Sequence, residues 1–148
     1  MSEKELMERA MKYWLDTPDA NCAQTTACSL LEHHGLDEVS KTVHQVFRVY
    51  GGGLSWRLAC GTITGSVGAL SYLAAQKNLP KEEIEVIVKE LLAQMQEKFG
   101  DLNCKNLMSK WYVDGEIDFD LPGRHEKCTD LVKTAMIFSE NLIKKYKI

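Results

Sequence analysis

Apolar residues recur at helical spacing along most of the chain, and the breaks between them carry recognisable start and stop residues. Ser2 with Glu5 has the capping-box spacing, Leu6, Ala10, Tyr13 and Trp14 share a face, and Pro18 stops the run, which predicts a helix over about 3–16. Asp19 or Asn21 can cap a second helix over about 21–34, with Cys22, Ala23, Thr26, Ala27, Leu30 and Leu31 in phase and Gly35 as terminator. Ser40 is the expected cap of a third, carrying Val43, Val46, Phe47 and Tyr50, and Gly51-Gly52-Gly53 then reads as a flexible connector.

The stretch from Cys60 to Asn78 is nearly free of charge and places Ile63, Val67, Leu70, Leu73 and Ala74 on one side, so it is expected to be a buried central helix. Gly61 and Gly65 lie four apart in it and leave a groove for another backbone or a cofactor, although each glycine costs about 1 kcal/mol of helix propensity. Pro80 opens the cleanest amphipathic stripe, Ile84, Ile87, Val88, Leu91, Leu92, Met95 and Phe99, closed by Gly100. Asn103 is expected to cap a short helix, and the acidic run Asp114 to Asp120 reads as a loop or small hairpin. A last helix is predicted from His125 to Lys145, ending in basic residues that suit a helix C-terminus. The expected fold is all-α: one domain over 1–148, a single compact bundle of about six or seven helices around the Gly-rich helix, without repeats or low-complexity segments.

Composition narrows the function more than the fold. The 18 Lys+Arg and 21 Asp+Glu give a net charge of -3, so no basic footprint for nucleic acid or anionic lipid is present. The first residues lack a signal-peptide layout and no apolar run approaches the ~20 residues that span a bilayer, so a cytoplasmic protein is expected. The long amphipathic helices are compatible with a homodimer.

The 5 cysteines are the informative excess. Their number is odd and their density is far below the ~8–10% of disulfide scaffolds, which leaves thiol chemistry, metal binding or plain burial. Cys22, Cys60, Cys104 and Cys128 all fall at predicted helix N-termini, where free N–H groups and partial positive charge favour thiolate. Cys28, mid-helix, reads as a small core residue. No Cys-x-x-Cys occurs, so a site must be assembled from distant segments.

Cys22 after Asn21, the triple glycine followed by Cys60-Gly61-Thr62-Ile63-Thr64-Gly65, the Phe99-Gly100 turn before Cys104, and the late Cys128 resemble the prokaryotic C_GCAxxG_C_C family of redox-active proteins. The resemblance covers about residues 20–132 and implies the same four cysteines as functional. Thr62 stands where the family has alanine, which adds a hydroxyl beside the sulfur. A related segment accompanies haem domains in split-Soret-type cytochromes, so the resemblance also implies an iron–sulfur option.

Two chemistries share these residues. Thiol pairs can cycle between dithiol and disulfide with a redox partner or a small-molecule thiol, with Cys60 the candidate nucleophile because its glycine neighbours give access. Alternatively the four thiolates ligate an iron–sulfur cluster or Zn²⁺, with His125 as a further ligand three residues before Cys128. A third reading is a non-catalytic helical module whose glycine groove and Trp56 bind a ligand. On each, Gly61, Gly65 and Trp56 are the expected binding-groove residues, Arg57 is a secondary helper of the Cys60 thiolate, and neither haem nor nucleotide is expected. The motifs for both are missing.

Overall fold

The structure is a computed structural model and describes residues 2–148. Its α-helices are α1 (Glu3–Asp16), α2 (Cys22–His33), α3 (Asp37–Val46), α4 (Gly61–Gln76), α5 (Lys81–Phe99), the single turn α6 (Cys104–Leu107) and α7 (Arg124–Tyr146). One all-α bundle with a Gly-rich helix near its centre is therefore what the chain forms. Among the described residues, no helix is long and apolar enough to cross a membrane. The acidic run makes the small hairpin, β1 (Tyr112–Val113) paired antiparallel with β2 (Glu116–Ile117). Asp114 and Gly115 both adopt positive φ at its tip, the pattern that suits a tight two-residue turn.

The core forms around α2 and α4. Every residue of α2 from Ala23 to Leu31 is buried, although four of them are polar. Two of these find local partners: Thr26 Oγ1 donates to Cys22 O at 3.2 Å, and Gln24 Nε2 donates to His44 O at 2.7 Å. Asn21 caps α2 with a full capping box, its side chain accepting from Gln24 N. Gly65 explains how the two helices approach so closely. A Cβ there would stand 2.3 Å from Ala23 O and 2.2 Å from Thr26 Oγ1, so the glycine groove is filled by the α2 backbone. Leu30, Leu70, Leu91, Leu131 and Met136 complete the core between α2, α4, α5 and α7.

Two local expectations change. Ser40 does not cap α3; it lies inside that helix and donates from Oγ to Glu32 Oε2 at 2.6 Å, because α3 begins earlier, at Asp37. The triple glycine is no flexible connector. Gly52, Gly53, Leu54 and Ser55 all have φ near +60°, and Arg57 has φ 61°, so the chain makes a tight left-handed turn. Each non-glycine residue there costs roughly 1–2 kcal/mol. Packing holds the turn: a Cβ on Gly53 would meet Leu58 backbone at 2.4 Å and Cys104 Cβ at 2.9 Å.

Candidate functional site

The left-handed turn, the starts of α2, α4, α6 and α7, and the hairpin enclose a cavity of about 460 Å³. Cys22, Cys60, Cys104 and Cys128 all line it. Each reaches the cavity for a local reason. Cys22 is the first residue of α2, directly after its Asn21 cap. Asn21 Nδ2 also donates to Phe47 O and Arg48 O, both at 3.0 Å, which ties the start of α2 to the segment after α3. Cys60 caps α4 and Cys104 is the first residue of α6. These two are locked together by a short antiparallel bridge, Ala59 opposite Asn103, with Cys60 N donating to Leu102 O at 2.8 Å and Cys104 N to Leu58 O at 2.7 Å. Residues 60 and 104 thus lie on one face of the bridge, one diagonal apart, a relation of about 7–8 Å between Cα atoms. Cys128 sits in the second turn of α7. Cys22 Sγ occupies the space that a Cβ on residue 61 would need, 2.3 Å from where that atom would stand.

Burial dominates the thiol chemistry. Helix N-termini do supply expected N–H groups: those of Ala23, Cys22 and Gly61, with that of Gly52 from the left-handed turn, favour ionised Cys22, yet loss of water outweighs them and its pKa is raised. Burial pushes the Cys60 thiol up to about 12, with Cys22 adding to the rise, against a hydrogen bond of 3.0 Å between Cys60 Sγ and Thr62 Oγ1. Cys104 is pushed up to about 11, also by burial, partly offset by the Arg57 guanidinium. Cys128 is raised by burial and pulled back chiefly by Arg124, whose Nη1 lies 3.7 Å from its sulfur. Cys60 and Cys104 are buried, whereas Cys22 and Cys128 are half-buried.

This geometry reorders the sequence candidates. Cys60 is not the accessible nucleophile, because it is buried at 6% exposure. Cys128 is only half-buried and lies beside the Arg124 guanidinium. Gly61 lines the cavity, but Gly65 does not; it is a helix-contact glycine. Trp56 is 79% exposed and lies outside the cavity wall. His125 stacks on Trp14, centroids 5.6 Å apart and planes 9° from parallel, and does not line the cavity either. Arg57 does, with its Nε donating to Glu116 Oε1 at 2.8 Å, and its charge acts on Cys104 rather than Cys60. Cys28 is a core residue as expected, its Sγ 3.5 Å from Ser40 O and outside the cavity.

Sequence reasoning missed Trp14, Phe119 and Arg124, which also face the cavity. Arg124 was the findable one: it precedes Cys128 by four residues, and an i,i+4 pair shares a helix face as well as the chosen i,i+3 pair does. Trp14 is fixed by a 2.8 Å hydrogen bond from Nε1 to Thr129 Oγ1, a contact between the two ends of the chain that no local pattern announces. Among the described residues, no three His, Cys, Asp or Glu side chains converge at the spacing that holds one metal ion.

A family model described as "Putative redox-active protein (C_GCAxxG_C_C)" matches residues 20–142 of the 148. The chain belongs to the C_GCAxxG_C_C family. The matched span contains all four cavity cysteines, and the family description points to redox activity without assigning a reaction. Comparison with curated proteins and with solved structures finds no match. In this member of the C_GCAxxG_C_C family, the Thr62 hydroxyl is the group that bonds the Cys60 sulfur.

The raised thiol values fix a pH dependence. A thiol whose pKa is higher folded than unfolded holds its proton more tightly in the folded state, so stability falls as pH rises above the unfolded value of about 8.5. With Cys60 at about 12 and Cys28 and Cys104 at about 11, the urea midpoint is expected to be flat between about pH 6 and 8 and to drop steadily from about pH 9 to 11. In the same window iodoacetamide should modify Cys22 and Cys128 before Cys60, Cys104 and Cys28. A midpoint that rises with pH, or Cys60 labelled first, contradicts the burial assigned to these thiols.

Proposed function

We propose that the protein is a thiol/disulfide redox protein, an oxidoreductase or electron carrier that stores electron pairs in Cys22, Cys60, Cys104 and Cys128. The observation that carries this reading is that four cysteines from four separate elements line one cavity while the fifth is buried elsewhere. Cys22 and Cys60 make the natural inner pair, since Cys22 Sγ rests on the residue that follows Cys60, and Cys22 is the charge that most opposes Cys60 ionisation. With Cys22 assigned to Cys60, Cys104 and Cys128 are left as the other pair; the Cys22 charge opposes ionisation of both of them as well. Each pair, on closing, forms one S–S bond and releases two electrons and two protons to an acceptor. Raised pKa values keep the resting thiols protonated and slow to react; approach of a substrate to Cys128 beside Arg124 starts the exchange, because only thiolate attacks sulfur.

A second reading uses the same four residues: cysteine sulfurs are the usual donors of an iron–sulfur cluster, which would hold the electrons itself, but among the described residues no three of them sit at the spacing that holds one metal ion. Anaerobically reduced protein treated with diamide separates the two. The expected result is loss of thiols in pairs, from 5 to one, with Cys28 the survivor on peptide mapping and Cys28→Ala changing nothing but that last thiol. A count that stays at its starting value, or that loses Cys28 as readily as the others, contradicts the thiol reading.

A further inference from the structure

Among the described residues, the cavity wall carries three guanidinium groups and not one carboxylate. Arg48, Arg57 and Arg124 line it, in a chain whose net charge is -3. Arg57 is compensated by Glu116, whose carboxylate sits behind it at 2.8 Å and outside the wall. Arg124 and Arg48 have no ion-pair partner within 4 Å among the described residues; the first is held instead by the ring of Phe119, 4.9 Å from its guanidinium carbon, and by the Cys128 sulfur. Phe119 also lies 5.6 Å from the Arg57 guanidinium, so one ring fixes both cations at the cavity mouth. The rest of the wall is largely apolar, with Trp14, Leu107, Met108, Ile117 and Leu131 facing inward. A volume of about 460 Å³ is that of a small-molecule site.

An apolar chamber with uncompensated guanidinium charge next to a half-exposed thiol selects for a ligand with an apolar body, an acid group and a sulfur for the thiol to meet. Resting on the thiol reading above, we infer that the substrate of this cavity is a small carboxylate-bearing disulfide, held through its acid group by Arg124 and Arg48. Arginine suits that task because its fork matches a carboxylate in two directions. The Cys128 thiolate attacks one sulfur of R–S–S–R, the S–S bond breaks, and the first RS⁻ leaves with the electron pair and takes up the proton that Cys128 lost. Cys104, deprotonated in turn, attacks Cys128 Sγ of the mixed disulfide and expels the second RS⁻, which takes up the Cys104 proton. The substrate is reduced to two RSH, and Cys104 and Cys128 are oxidised to one disulfide. The reverse reaction uses the same contacts.

The test compares three disulfides that differ in charge: 3,3′-dithiodipropionate, a dianion, neutral 2-hydroxyethyl disulfide, and cystamine, a dication. Rates of thiol loss from reduced protein are divided by the rates of the same disulfides with 2-mercaptoethanol, which removes intrinsic reactivity. The dianion is expected to lead the neutral compound by about tenfold, with the dication slowest, and the order is expected to flatten at high salt. Arg124→Gln, and separately the exposed rim variant Arg48→Gln, should shrink the dianion-to-neutral ratio, with circular dichroism showing that each is still folded; Arg124→Gln should also slow the neutral disulfide, because it removes the charge that most lowers the pKa of the Cys128 thiol. Pairwise oxidation without any preference for the dianion, or with cystamine fastest, overturns the inference and leaves the thiol reading standing. Failure of all three disulfides to oxidise the thiols in pairs overturns the thiol reading itself.

Discussion

Protein carrying Cys22→Ser together with Cys104→Ser is expected to fold and to lose all reversible two-electron oxidation. The two changes remove one partner from each pair, leaving buried Cys60 and half-buried Cys128, from different elements, without their partners. Serine is well tolerated at the first residue of α2 and of α6, where its hydroxyl can bond free N–H groups. The loss is large because closing a disulfide between held thiols is an intramolecular step whose advantage over attack by an outside thiol reaches about 10⁵ M in well-oriented cases. Each single variant should retain one pair: Cys60→Ser loses two thiols instead of four on full oxidation, and so does Cys128→Ser. Thiol titration before and after diamide, with circular dichroism to confirm the fold, measures this. Loss of four thiols from Cys60→Ser would contradict the pairing of Cys60 with Cys22 and of Cys104 with Cys128.

Gly65→Ala is expected to destabilise the protein by about 2–4 kcal/mol, lowering Tm by roughly 5–15 °C. Alanine is the better helix former by about 1 kcal/mol, so on an exposed helix the change would stabilise. Here the added methyl meets Ala23 O at 2.3 Å and Ala23 C at 2.9 Å, and the buried backbone of α2 cannot swing aside. Separating α2 from α4 would also move Cys22 from Cys60, so slower disulfide closure should accompany the lost stability. Gly68→Ala is the contrast. Its Cβ would meet the end of the Phe47 ring at 2.6 Å, a side chain that can shift, and about 1 kcal/mol is expected. A thermal melt of the two variants checks both values, and a Gly65→Ala protein as stable as the parent would mean that α2 and α4 are not in backbone contact.

The helices were readable because their apolar stripes and caps agree. In α5, Ile87, Leu91 and Met95 are buried at i, i+4 and i+8 between Pro80 and a left-handed Gly100, so pattern, start and stop all point the same way. α2 was readable as a helix but not as the helix buried on every side, since Gln24, Thr25, Thr26 and Ser29 look like a solvated face. Gly61 and Gly65 were seen to leave a groove, and only the fold decides that a helix rather than a cofactor fills most of it. The convergence of four cysteines follows from helix starts gathered at one end of the bundle, and the helix-start positions were visible in sequence. Their ionisation was not. Local N–H groups argue for thiolate, while burial depends on Trp14, Phe119 and the left-handed turn, which come from distant segments and outweigh them. The turn itself was hidden because three glycines signal freedom of φ, without saying whether that freedom is used for motion or for a fixed left-handed path.

Anaerobic purification followed by an absorption spectrum, iron, zinc and sulfide analysis and a thiol count on one sample tests the thiol chemistry of the cavity most directly. The expected result is a colourless, metal-free protein with 5 free thiols, four of which disappear in pairs on mild oxidation and return with reductant. Iron and inorganic sulfide in stoichiometric amounts, with visible bands that vanish in Cys60→Ser, would contradict it and make the cavity a cluster site.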